Sequence, residues 1–90
     1  MTAHPPVPTV VVMHGDQTGE ELLVEALRVL QPSVIGQRLE FVDYDLSLAT
    51  RRATDNQVVW ESASTASQTG LALKAATITP EISGDVGSPN

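Results

Sequence analysis

Apolar residues recur along the chain in two rhythms, short continuous runs and longer stripes at helical spacing. Thr9 to Met13, TVVVM, is a continuous β-branched run, as expected of a strand covered on both faces. His14 to Gly19, HGDQTG, follows as a turn. In EELLVEALRVL, Leu22, Leu23, Ala26, Leu27 and Leu30 share one helical face. Glu20 and Glu21 occupy the first turn, where the helix dipole favours negative charge, and Pro32 stops the helix. Ser33 to Gln37 reads as a connector around Gly36. Arg38 to Leu46, RLEFVDYDL, alternates as a second strand, with Leu39, Phe41 and Asp43 on one face and Glu40, Val42 and Tyr44 on the other. SLATRRATDNQ reads as a polar connector. Thr54 and Gln57 have capping-box spacing, which starts a second helix near Asp55. That helix runs to about Gln68 through a serine-rich interior of low helix propensity, and Gly70 ends it. Leu71 to Thr79, LALKAATIT, predicts a third strand closed by Pro80.

The predicted order is β-α-β-α-β, which implies an α/β sheet with right-handed crossovers. Met1 to Pro8, with three prolines, reads as a loose leader ahead of residues 9–90, which make one domain at most, or part of one. Ligand sites in such sheets lie beyond the carboxyl ends of the strands. Here those places are His14–Gly19, Asp43–Leu48 and Thr77–Asn90.

Composition narrows the function classes. The net charge is −6, from five basic and eleven acidic residues, which argues against nucleic-acid partners and anionic membrane surfaces. No apolar run approaches the roughly 18 residues of a membrane span. The first residues lack the pattern of a signal peptide, and without cysteine there is no disulfide framework or thiolate metal site. A cytoplasmic protein is the expectation. Aromatics make up only 3 %, so the core must come from Val, Leu, Ile and Ala. Ninety residues bury only roughly 60–65 % of their extended-chain surface.

Candidate chemistry gathers at the predicted strand ends. HGDQTGEE follows a strand and opens a helix, as a phosphate-cradling loop would, but it lacks the phosphate-loop lysine and the GxGxxG spacing. A plain strand-to-helix turn is the stronger reading. His14 sits at a strand end as a candidate proton carrier, without a partner carboxylate visible in the sequence, whereas His4 lies in the leader. Asp43 and Asp45 share a strand face, suited to a metal or to acid–base work, or to a solvated strand end. Arg51 and Arg52 read as a solvated pair in a connector, and Trp60 as a packing anchor. Thr77 and Thr79 flank Ile78 near Lys74, and Ser88 and Asn90 add a hydroxyl and an amide. Together these groups suit an oxygen-rich ligand.

Three segments resemble the isocitrate dehydrogenases, within the isocitrate/isopropylmalate dehydrogenase superfamily. They are YDLSLATRRATDNQV, KAATITPE and SPN, in matching order from about Thr9 to Asn90. The combination of KAATITP and SPN is most similar to the NADP-dependent form. The resemblance implies an amino-terminal β-α-β-α-β portion of that fold, an incomplete three-layer sandwich. It implies that Lys74, Thr77, Ile78 and Thr79 contact the nicotinamide cofactor, NADP or NAD. It also implies that Thr79, Ser88 and Asn90 contact isocitrate. The reaction implied is oxidative decarboxylation of isocitrate to 2-oxoglutarate by a homodimer, assisted by Mg²⁺ or Mn²⁺.

The departures matter as much. Ile82, Ser83 and Gly84 stand near the place where NADP-type members carry a cofactor-contacting arginine, and no arginine follows Arg52. The loop before Ser88 is shorter than in those members, so NAD and NADP both stay open. The family's substrate-gripping arginines, catalytic tyrosine and lysine and metal-binding aspartates all lie after Ser-Pro-Asn, so no catalytic or metal residue is assigned here. A trianionic substrate needs several cations, preferably arginine forks. One exposed ion pair contributes about 0–1 kcal/mol, far from the roughly 8 kcal/mol of a micromolar ligand. The expectation is therefore the amino-terminal part of a larger enzyme, inactive alone. The alternatives are a non-catalytic structural or regulatory α/β module and part of a 3-isopropylmalate dehydrogenase-like enzyme.

Overall fold

The computed structural model describes residues 7–90. The leader's residues 1–6, including His4, lie outside that description. Three strands, β1 (Thr9–His14), β2 (Glu40–Asp45) and β3 (Ala72–Lys74), form one parallel sheet in the order β2-β1-β3. Four helices accompany them: α1 (Gln17–Val29), α2 (Pro32–Ile35), α3 (Leu48–Ala53) and α4 (Gln57–Thr69). The α/β class expected from the alternating pattern is the one observed.

The central strand is covered on both faces, as its unbroken β-branched run requires. Val10, Val11 and Val12 are all buried. On one face Val12 packs with Leu23 of α1 and Ala75, joined by Leu27, Phe41 and Leu73. On the other, Tyr44 of β2 shares a hydrogen bond with Thr65 of α4, oxygen to oxygen 2.6 Å, and Val58 and Ser62 of α4 are buried. Register places Val12 beside Asp43 and His14 beside Asp45, so Asp43 and Asp45 do share a face.

Several local expectations are corrected. The third strand stops at Lys74 rather than Thr79, because its partner among the described residues, β1, ends at His14. Beyond that point Ala75 N–H still donates to Met13 O, but the Ile78 N–H goes to the Asp16 carboxylate instead of a ladder. The connector at Leu48–Ala53 is a helix, with the Ser47 hydroxyl accepting from the Thr50 N–H. Thr54 is therefore the C-cap of α3, not the N-cap of α4; its hydroxyl donates to Thr50 O at 2.9 Å. Asp55 and Asn56, both at positive φ, turn the chain into α4. Gly70 ends that helix in the left-handed region, as expected. The connector at Ser33–Gln37 contains the single turn α2, opened by Pro32 and closed by Gly36 at φ +69°. Within α1 only Leu23 is fully buried, while Leu22 and Ala26 of the predicted face are exposed. Trp60 is 71 % exposed and anchors nothing. Pro8, the last residue of the expected leader, accepts from Glu40 N–H at 2.9 Å through its carbonyl.

Candidate functional site

The site is built where all three strands end at the same edge of the sheet. Loops leave that edge at Gly15–Asp16, Leu46–Ser47 and Ala75–Thr79. The first loop lies hard against the third. A Cβ added at Gly15 would meet the Ala76 carbonyl, with the Ala75 side chain at 2.9 Å, and one added at Gly19 would meet the Ala76 side chain at 2.8 Å. The glycines of HGDQTGEE thus serve close backbone approach. The Gly15 N–H is already taken by Glu20 Oε1 at 3.0 Å, so the loop behaves as a strand-to-helix turn.

Asp16 and Arg51 organise the three loops. The Asp16 carboxylate, 12 % exposed, accepts from the Leu48 N–H at 3.0 Å and the Ile78 N–H at 3.0 Å. Arg51 Nη2 stands 3.5 Å from Asp16 Oδ2. Arg51 itself is fully buried. Its Nε donates to Leu46 O at 2.8 Å, Nη1 to Gly87 O at 3.0 Å, and Nη2 to Ile78 O. The expectation of a solvated Arg51 is therefore overturned. A guanidinium is rarely buried unless its fork of donors is met by a carboxylate and carbonyls, and here it is. Arg52 is half-exposed and forks onto Asp85, with Nη2 to Oδ2 at 2.6 Å. That guanidinium, with the Val86 N–H, holds the Asp85 carboxyl below the usual carboxylate range.

Each residue singled out in the sequence has a definite place. Lys74 Nζ donates to Ala75 O at 3.0 Å and lies 3.4 Å from Thr77 Oγ1. Burial, and then the nearby Arg51 charge, push its pKa below the ordinary lysine value. Thr77 is half-buried, and Ile78 and Thr79 are exposed. Ser88 and Asn90 help line a pocket of about 300 Å³ with Asn56, Val59, Trp60 and Ala63. The Ser88 hydroxyl accepts from the Asn90 N–H at 3.3 Å. Thr77, Ile78 and Thr79 do not line that pocket. What joins the two motif loops is Arg51, through the carbonyls of Ile78 and Gly87.

His14 does have carboxylate partners. Its Nδ1 is 2.7 Å from Glu20 Oε2, and its Nε2 is 2.7 Å from Asp43 Oδ1. Burial alone would lower its pKa, but the hydrogen bonds to Asp43 and Glu20 outweigh this and raise it above 6.5. Asp45 is turned toward the next helix, accepting from the Ser47 N–H at 2.9 Å and the Thr50 hydroxyl at 2.7 Å. Those bonds, the Ser47 amide first, hold it below the usual carboxylate range. Neither aspartate stands in a metal cage: among the described residues no cluster of three His, Asp or Glu side chains is arranged to hold an ion.

Sequence reasoning missed the Asp16–Arg51 pair because its members lie in segments read separately as a turn and a connector. Leu48 and Arg51 at helical spacing behind Ser47 were the available signal that α3 buries one side.

A model of the isocitrate/isopropylmalate dehydrogenase family matches residues 9–90 of the chain. No curated protein matches the chain.

Proposed function

Because this chain belongs to the isocitrate/isopropylmalate dehydrogenase family, we propose that its Ala75–Thr79 and Gly87–Asn90 loops form one wall of a dehydrogenase site for isocitrate and NADP or NAD. The family as a whole binds a substrate and a nicotinamide cofactor and uses a divalent metal. The observation that carries the reading is the buried Arg51, which holds both motif loops by their carbonyls. A bound nicotinamide ring supplies the hydride acceptor. The residues of this chain supply position: the Thr77 and Thr79 hydroxyls and the Lys74 ammonium toward the cofactor, and the Ser88 hydroxyl and Asn90 amide, with Thr79, toward the substrate. Among the described residues no cluster of three His, Asp or Glu side chains fits a divalent ion, so these residues act on position alone.

Magnitudes set what the chain does by itself. Arg51 is taken up by Asp16 and three backbone carbonyls, and Arg52 by Asp85. Lys74 is the cation left beside Thr77. One partly exposed ion pair is worth about 0–1 kcal/mol, so a trianion binds weakly. The reading therefore places the rest of the grip in residues outside these ninety, and assembly as a homodimer is part of it. The test is an amide-resonance titration of the ¹⁵N-labelled chain with millimolar NADP⁺, isocitrate and 3-isopropylmalate. Shifts confined to Thr77–Thr79 and Ser88–Asn90 support the reading, and the ligand giving the larger shifts at Ser88–Asn90 identifies the substrate class. No shift at these amides with any ligand defeats it.

A second reading, a non-catalytic module, is favoured by one observation: β2 and β3 are both sheet edges. Self-association or strand addition through those edges, seen as slowed exchange of Val42 or Leu73 amides at high protein concentration without ligand, would favour it.

A further inference from the structure

Each polar group of the Ile78 peptide is held by one member of a buried ion pair. Its N–H donates to Asp16 Oδ2 at 3.0 Å, and its carbonyl accepts from Arg51 Nη2. The same guanidinium reaches the Gly87 carbonyl at 3.0 Å, the residue before Ser88, while its Nε is fixed on Leu46 O at 2.8 Å. Asp16 is tied to the start of α3 through the Leu48 N–H. With four of its contacts on backbone and carboxylate and no solvent access, Arg51 has one conformation available.

We propose that Asp16 and Arg51 are a positioning pair that locks the Thr77–Thr79 and Ser88–Asn90 loops at one fixed separation, so that ligands carried by the two loops bind cooperatively. This rests on the reading of those loops as the cofactor and substrate walls. Neither residue touches a ligand in this scheme. The physical cause is rigidity. A planar guanidinium bridging two carbonyls from separate loops transmits a shift of one loop to the other, whereas two loops merely anchored to the sheet would move independently. The two loops therefore move as one body, the first ligand to bind stills both, and the second meets a loop already ordered.

The experiment uses the whole chain, ¹⁵N-labelled, with NADP⁺ and isocitrate as probes. In the wild type the Arg51 Nε proton gives a slowly exchanging resonance with nuclear Overhauser contacts to the Leu46 and Gly87 neighbourhoods. In Arg51→Lys and in Asp16→Asn the Ile78 amide loses at least tenfold of its exchange protection, while the Val11 and Val12 amides keep theirs. The apparent affinity for each probe improves several-fold with the other present, and in Arg51→Lys that gain falls to about one. Each probe alone binds the variant within about twofold of the wild type, an outcome that general loosening would not produce. A fast-exchanging Arg51 Nε in the wild type overturns the proposal without any variant. So does an Ile78 amide that stays protected in both folded variants, or a gain that survives Arg51→Lys. A locked Ile78 with no response of either loop to either probe leaves the pair standing as a structural lock and overturns the cofactor-and-substrate reading and, with it, the cooperativity.

Discussion

His14 and Asp43 lie on one face of neighbouring strands with Nε2 and Oδ1 2.7 Å apart, and Glu20 meets the other ring nitrogen at the same distance. A neutral imidazole has one N–H to offer, and two carboxylates ask for two, so the arrangement favours the imidazolium. The link ties the first turn of α1 to β2 across the end of β1.

The pH dependence follows with a definite sign. The folded pKa of His14 is raised above 6.5, so its contribution to stability is fully present below pH 6.5 and is lost as pH rises through the raised value. Asp43 is well exposed, which limits the effect to about 1 kcal/mol. Urea midpoints of wild type and His14→Gln should differ at pH 6 and converge by pH 9. A gap that widens toward pH 9 contradicts the assignment. Asp45 works in the opposite sense: its contribution, present above pH 3.8, is lost as pH falls through its lowered pKa.

Removing Asp16 alone should cost more than removing both members of the buried pair. Asp16→Ala leaves the fully buried Arg51 guanidinium without its counter-ion, a loss of about 3–5 kcal/mol. The double variant Asp16→Ala/Arg51→Met should recover only part of that stability, because the apolar side chain needs no counter-ion but leaves the Leu46, Ile78 and Gly87 carbonyls without their donor. Chemical denaturation of the three proteins checks it, and additive losses would show that the two residues act separately.

Gly19→Ala sets two effects against each other. Alanine is better than glycine in a helix by about 1 kcal/mol. The new methyl would, however, lie 2.8 Å from the Ala76 side chain and 2.9 Å from its backbone nitrogen. Overpacking of that kind costs about 1–3 kcal/mol, so net destabilisation is expected by thermal unfolding. A higher melting temperature would mean that the Ala75–Thr79 loop yields freely.

Ser62 faces the sheet, buried, with its hydroxyl donating to Val59 O at 3.0 Å. Ser62→Ala should be within about 0.5 kcal/mol of neutral, since the hydroxyl serves only its own helix. Ser62→Leu should lose about 1–3 kcal/mol, because α4 lies close to β1 and β2 there. Equal stability of the two variants would show that α4 is not seated on the sheet.

Isocitrate-dependent reduction of NADP⁺ or NAD⁺ by the purified chain with Mn²⁺ should stay at the level of the blank. With Arg51 and Arg52 both committed to internal partners, the cations a trianion needs are not available. Sustained turnover would refute the weak-binding argument.

The sheet was legible because its signals are strong and local. The run at Val10–Val12 has the β-branched continuity expected of a strand covered on both sides, and Gly70 is a natural helix end; both are as the structure has them. The Thr-Ile-Thr and Ser-Pro-Asn segments stood out by resemblance. The shorter third strand did not, because strand length is set by the partner, and β1 runs out at His14. α3 was hidden for a similar reason: its polar residues look solvated until one of them is seen to be buried.

Alternation, turn residues and helical spacing thus determined an α/β chain with three strands and loops at one edge. Those patterns are written in neighbouring residues and survive any change in distant ones. Only the tertiary structure decided that Arg51 is buried, that Asp16 faces it across 35 positions of sequence, and that His14 stands between two carboxylates. Such pairings depend on which loops the sheet order brings to the same edge, and a parallel β2-β1-β3 sheet gathers the ends of segments far apart in the chain.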